Sequence, residues 1–119
     1  ILVKAQSGYV PPPLVGIWAR WPYFHNNSAP SLCAVLTPAK SRPVTYWARE
    51  AADPRYDFDS ECNGYPLTAP RDGIQKAKFD TRLEGSSNRG HDEGIFLKNG
   101  REILSTMEKL ALIRFLQTL

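Results

Sequence analysis

Residues 10 to 32 read Val10-Pro-Pro-Pro-Leu-Val-Gly-Ile-Trp-Ala-Arg-Trp-Pro-Tyr-Phe-His-Asn-Asn-Ser-Ala-Pro-Ser-Leu32. Three consecutive prolines force an extended entry, and proline is tolerated in a first helical turn, so the stretch predicts a short helix through Leu14 to Trp21. Leu14, Ile17, Trp18 and Trp21 stand at i, i+3, i+4 and i+7, the spacing of one apolar helical face. Pro22 ends that helix. Ser28 or Pro30 begins a second, Ser31 to Leu36, with Leu32, Val35 and Leu36 on one side and Pro38 as its stop. The pair reads as a helix, a tight corner and a helix.

From about residue 37 to 88 the helical period is lost. Val44 to Ala48 and Lys78 to Thr81 read as short extended segments among Pro, Gly, Asp and Asn. The aromatics Tyr46, Trp47, Tyr56, Phe58, Tyr65 and Phe79 give this stretch something to bury, so it is expected to be a long ordered insertion. The last element is a long helix. Ser105-x-x-Glu108 is a capping box, and Met107, Leu110, Ala111, Ile113, Phe115 and Leu116 give a broad apolar face running to the terminus.

Composition sets the outer bounds. With 119 residues the chain is one domain at most, spanning 1–119. Fifteen Lys+Arg against twelve Asp+Glu, with 23% charged residues, argue against a disordered tail and against a dedicated nucleic-acid binder. No apolar run approaches the roughly 20 residues of a membrane span. Ten prolines and eight glycines predict a loop-rich fold with short helices. Residue 1 is Ile, and Ile1 to Val3 is too short an apolar start for a signal peptide, so the numbering is expected to begin after a cleavage, with a segment upstream. Cys33 and Cys62 stand 29 residues apart. Either they close a loop worth roughly 3 to 4 kcal/mol in an oxidising compartment, or Cys33 is a small buried hydrophobe.

Two histidines can be weighed singly. His25 follows a proline corner and two aromatics and precedes Asn26, Asn27 and Ser28. One reading is a corner histidine that holds the turn through its ring nitrogens; the other is a functional imidazole. His91 lies in Gly85-Ser-Ser-Asn-Arg-Gly-His-Asp-Glu-Gly94. It reads either as a solvated loop histidine or as a metal-binding imidazole, on a loop whose glycines let backbone approach a flat, bulky ligand. No G-x-S-x-G, P-loop, H-E-x-x-H or paired-cysteine zinc pattern exists, which argues against a self-contained hydrolase. Asp53, Asp57, Asp59 and Glu61 lack the glycine and helix pair of an EF-hand and read as a solvated loop.

The stretch Val10 to Leu32 resembles a run in di-haem c-type cytochromes, the superfamily of bacterial cytochrome c peroxidases and, closer still, of rubber-oxygenase-like proteins. The family pattern is proline-leucine, glycine-isoleucine-tryptophan, alanine, then proline-tyrosine-leucine-histidine-asparagine-glycine-serine. Pro38 with Arg42-Pro43, Phe79-Asp-Thr81 followed by Ser87-Asn-Arg-Gly-His91, and the closing Leu112 to Leu119 resemble later segments of that family in the same order. The resemblance implies a mainly α fold with long loops: the C-terminal part of a cytochrome c-like domain, short helices plus the insertion.

It also implies that His91 is the distal axial ligand of a haem iron, with His25 supporting the pocket. Arg20 and Arg42 would stand near haem propionates, and Trp18 and Tyr23 would touch the cofactor. Asn27 replaces the family's usual glycine and accepts a left-handed conformation better than most residues. No Cys-x-x-Cys-His occurs, so haem c would be attached through a motif outside these residues, on a haem-bearing polypeptide or an upstream segment. Such proteins mature in an oxidising periplasmic or secreted compartment, which implies a Cys33–Cys62 disulfide. The expected function is a fragment or subunit of a di-haem oxidoreductase engaged in electron transfer, peroxide or dioxygen chemistry, with an electron-transfer partner. The alternative is a non-catalytic secreted binding module derived from such a domain.

Overall fold

The computed structural model describes residue 8 and residues 10–119; the expectations for Ile1 to Val3 lie outside these described residues. Only a single 3-10 turn, Ile17–Ala19, stands where a helix from Leu14 to Trp21 was expected. Three local facts account for the difference. Pro11 to Pro13 carry no N–H to start a ladder, Gly16 takes a left-handed φ of 76°, and Trp21 precedes a proline, across a cis peptide bond. The expected apolar face is therefore split: Ile17 and Trp21 pack toward the core, while Leu14 is 55% and Trp18 46% exposed.

A corner follows, closed by reciprocal backbone bonds between Tyr23 and Ala29. Helix α1, Leu32–Val35, is capped by the Ser31 hydroxyl, which accepts from the Ala34 N–H. Its buried Leu32 and Ala34 meet Tyr23, Ala29 and, from the far end of the chain, Ile113. That cluster is the main core. The insertion is ordered around antiparallel strands β1, Thr45–Arg49, and β2, Lys76–Asp80, with Tyr46 opposite Phe79. Helix α2, Pro54–Asp57, sits between them in sequence, with Asp53 as its cap and proline in its first turn.

The insertion's aromatics pack both on one another and on the corner. Tyr46 stacks on Phe79 and Tyr65, with centroids 5.2 and 5.8 Å apart, and Trp21 meets Phe58 at 4.8 Å. A disulfide joins Cys33 to Cys62, fastening α1 to the insertion. The short hairpin of β3, Leu97–Lys98, and β4, Arg101–Glu102, turns on Asn99-Gly100 with both residues at positive φ. Helix α3, Thr106–Leu116, carries the expected capping box between Ser105 and Glu108.

The mainly α expectation is overturned. The α-helices of the described residues are 4, 4 and 11 residues long, beside two small antiparallel sheets. Prolines and left-handed turns cut the helices short, and β-branched and aromatic residues in the insertion favour pleated pairing instead. No helix among the described residues is long and apolar enough to cross a membrane.

Candidate functional site

The corner after Pro22 and the loop from Gly85 to Gly94 face each other across a cavity of about 570 Å³. Val10, Pro11, Pro12, Ile17 and Pro22 supply apolar wall, Tyr23 and Phe24 aromatic wall, and Arg20, His25, Asn27 and His91 the polar groups. This is the composition of a cofactor pocket, apolar with a few convergent polar atoms. The His25 and His91 rings stand 6.3 Å apart, steeply inclined to each other. Phe24 stacks on His91 at 4.6 Å. Stacking engages the imidazole's face, whereas its nitrogens, the atoms that bind a metal, lie on its edge.

The wall is held in a conformation L-residues seldom adopt. Phe24, Asn27 and His91 have φ of 69°, 62° and 58°, and each lines the cavity. Non-glycine residues in this region persist only where surrounding structure over-determines them, and they gather at functional sites. Here the restraints can be named. The Asn26 side-chain amide donates to the carbonyls of Gly85 and Ser87, at 3.2 and 2.8 Å, and so staples the corner to the loop. Arg42, 4% exposed, is the second staple. Its Nε donates to the Ala34 carbonyl, Nη1 to Asn88 and Gly90, and Nη2 to Val35 and His91. All five N–H groups are committed to backbone carbonyls, three of them on the His91 loop, and the guanidinium also lies over the Phe24 ring.

The remaining expected residues divide. Tyr23 is buried; its hydroxyl donates to the Ile17 carbonyl and accepts from the Asn63 amide, and burial pushes its pKa up to about 12, so the phenol stays protonated. Arg20 reaches the cavity rim while donating to the carbonyls of Pro13 and Val15. Trp18 is not on the wall, and its carbonyl accepts from Asn63. His25, His91, Arg20 and Tyr23 thus share one cavity, while Arg42 stands behind it, clamping the loop. Sequence reasoning missed Phe24 and Asn26. Their signal was adjacency to His25; which way each side chain points depends on contacts about 60 residues away.

Among the described residues no group of three or more His, Cys, Asp or Glu side chains could hold a bare metal ion. Two imidazoles on an apolar wall suit a metal whose other ligands come from a macrocycle.

A family model described as RoxA-like, cytochrome c-like matches residues 8–48, which hold Arg20, Tyr23, His25 and Arg42 but not His91. The match supports a cytochrome c-like domain there and, with it, haem as the associated group. The chain is 37% identical over 119 residues to the uncharacterized protein y4iJ of Sinorhizobium fredii, covering 98% of this chain and 19% of that protein. It is 36% identical over 97 residues to the uncharacterized protein y4iM of the same organism, covering 76% of this chain and 21% of that one. The chain therefore spans about a fifth of the length of these relatives. No solved structure matches it significantly.

Proposed function

We propose that this chain forms the distal part of a c-type haem pocket in a di-haem oxidoreductase, with His91 as an axial ligand of the iron. One observation carries the reading: residues far apart in sequence bring two imidazoles to one apolar cavity whose wall is held at positive φ at Phe24, Asn27 and His91. The residues fit the group. Apolar wall and Phe24 suit a macrocycle face, the His91 imidazole suits an axial bond, and Arg20 suits a propionate. When bound, the haem supplies electron transfer or peroxide or dioxygen chemistry, and its attachment through Cys-x-x-Cys-His belongs outside these residues.

The chain's own residues perform three tasks in this reading. Arg42 and Asn26 fix the His91 loop, so that the imidazole is presented in one orientation. Pro11, Pro12 and Ile17 exclude water from the macrocycle's neighbourhood, which holds the local dielectric low. His25 and Tyr23 support the pocket, the tyrosine as a neutral phenol. The disulfide supports maturation in a periplasmic or secreted setting.

Replacing His91 with alanine in the full-length haem protein is the test. The expected result is conversion of a six-coordinate, low-spin absorption spectrum to a high-spin one, while His25→Ala stays low-spin. A low-spin spectrum unchanged by loss of His91 would remove the assignment.

A further inference from the structure

We infer that a recess behind the His91 loop, distinct from the histidine cavity, binds a small oxyanion of the phosphate class. The recess has a volume of about 240 Å³ and lies between the turn Ala39–Ser41 and the loop 87–89. Four of its nine lining residues, Lys40, Arg42, Arg82 and Arg89, are cations, and none is a carboxylate. A chain with twelve acidic residues against fifteen basic ones gives no such bias by composition. Field lines from like charges in a concave, partly apolar recess are focused into it.

The two outer cations are also unanswered. Arg42 is committed to backbone carbonyls, and Arg82 forms a two-pronged pair with Asp80. The Lys40 ammonium and the Arg89 guanidinium have neither hydrogen bond nor ion pair among the described residues. Both also line a second cavity of about 810 Å³, so the two spaces share these cations. The carboxylates on that side are already engaged: Asp92 accepts from the N–H groups of Ala39 and Glu93, and Glu102 pairs with Lys109. Arg89 offers a planar fork and Lys40 a point charge, a combination suited to a tetrahedral oxyanion. The Ser87 hydroxyl accepts from the Arg89 N–H and keeps its own proton to donate. At roughly 30 Å³ per water the recess has room for such an anion with part of its hydration.

The inference does not rest on haem binding. Its test is calorimetric titration of inorganic phosphate into the full-length protein at constant ionic strength, with urea midpoints to confirm that each variant is folded. One saturable site is expected. Lys40→Met and Arg89→Met should each weaken it at least tenfold, and Arg101→Met, on exposed strand β4, should change it less than twofold. No saturable binding at millimolar phosphate, or equal loss in all three variants, would overturn the inference.

Discussion

Arg42 shows how much one side chain can organise. Its position just after the turn Ala39–Ser41 lets it reach the carbonyls of Ala34 and Val35 on one side and three carbonyls of the His91 loop on the other. A buried carbonyl that loses a charged donor carries a desolvation cost of about 1 to 3 kcal/mol, and these five share one donor. Arg42→Met should therefore destabilise the protein by at least ~3 kcal/mol, read as a lowered urea midpoint with unchanged slope. Lysine should restore little, because three donors on a flexible stem cannot span the same fan of carbonyls. A loss under about 1 kcal/mol would mean that the loop is held by Asn26 and backbone alone. The sequence displayed Arg42 through the resemblance, as a candidate propionate partner. Its burial among carbonyls depends on where residues 88 to 91 return, which no local pattern encodes. The glycine-flanked loop singles out His91 in the sequence as a candidate, whereas its stacking on Phe24 has no local signal.

Among elements, the closing helix and the extended segments of the insertion were read more accurately than the first helix. The capping box at Ser105 names its own hydrogen bonds, and α3 begins where expected. Both extended segments of the insertion were anticipated within a residue or two, because β-branched and aromatic residues bounded by turn formers carry the signal. The helix expected from Leu14 to Trp21 failed because apolar periodicity was weighed above three prolines and a left-handed glycine, which backbone sterics made decisive. The hairpin at Asn99-Gly100 was missed although its turn signal is strong, since each strand is only two residues long.

Helix α2 adds a prediction of its own. Asp57, buried at its end, accepts two hydrogen bonds from Arg71 and one from the Asp53 N–H, and the Arg71 guanidinium holds its carboxyl below the usual range. A carboxyl with a depressed folded pKa contributes stability above its unfolded pKa, near 4, and loses it as pH falls through the folded value. Asp57→Asn should be less stable than the parent at pH 7, and its urea midpoint should fall less between pH 4 and pH 2. Parallel acid limbs for the two proteins would refute the coupling.

At the scale of the whole molecule, the described chain is thinly cored. Its radius of gyration is 15.5 Å, against roughly 13.5 Å for a compact domain of this length. Its accessible surface is 8403 Å², where about 6500 Å² is usual for the mass. On α3, Met107 and Phe115 are 81% and 58% exposed and stand on one face with Ala111 between them. The insertion covers Trp21 but leaves Leu14, Val15 and this stripe open. We propose that the haem-bearing remainder of a longer protein covers them. The isolated 119-residue chain should then self-associate in sedimentation and melt without a sharp transition. A monomer that melts cooperatively at high temperature would show that the insertion alone completes the core.

The Asn26 staple has a consequence in time. Its two bonds close loops of 59 and 61 residues, so the corner leaves the ribosome long before its counterpart exists. At synthesis rates of roughly 5 to 20 residues per second, that interval is about 3 to 12 s. Throughout it the His25 corner has no opposite wall. The His91 loop is then the later of the cavity's two walls to be made, and only α3, whose Ile113 completes the core around Tyr23 and Leu32, follows it.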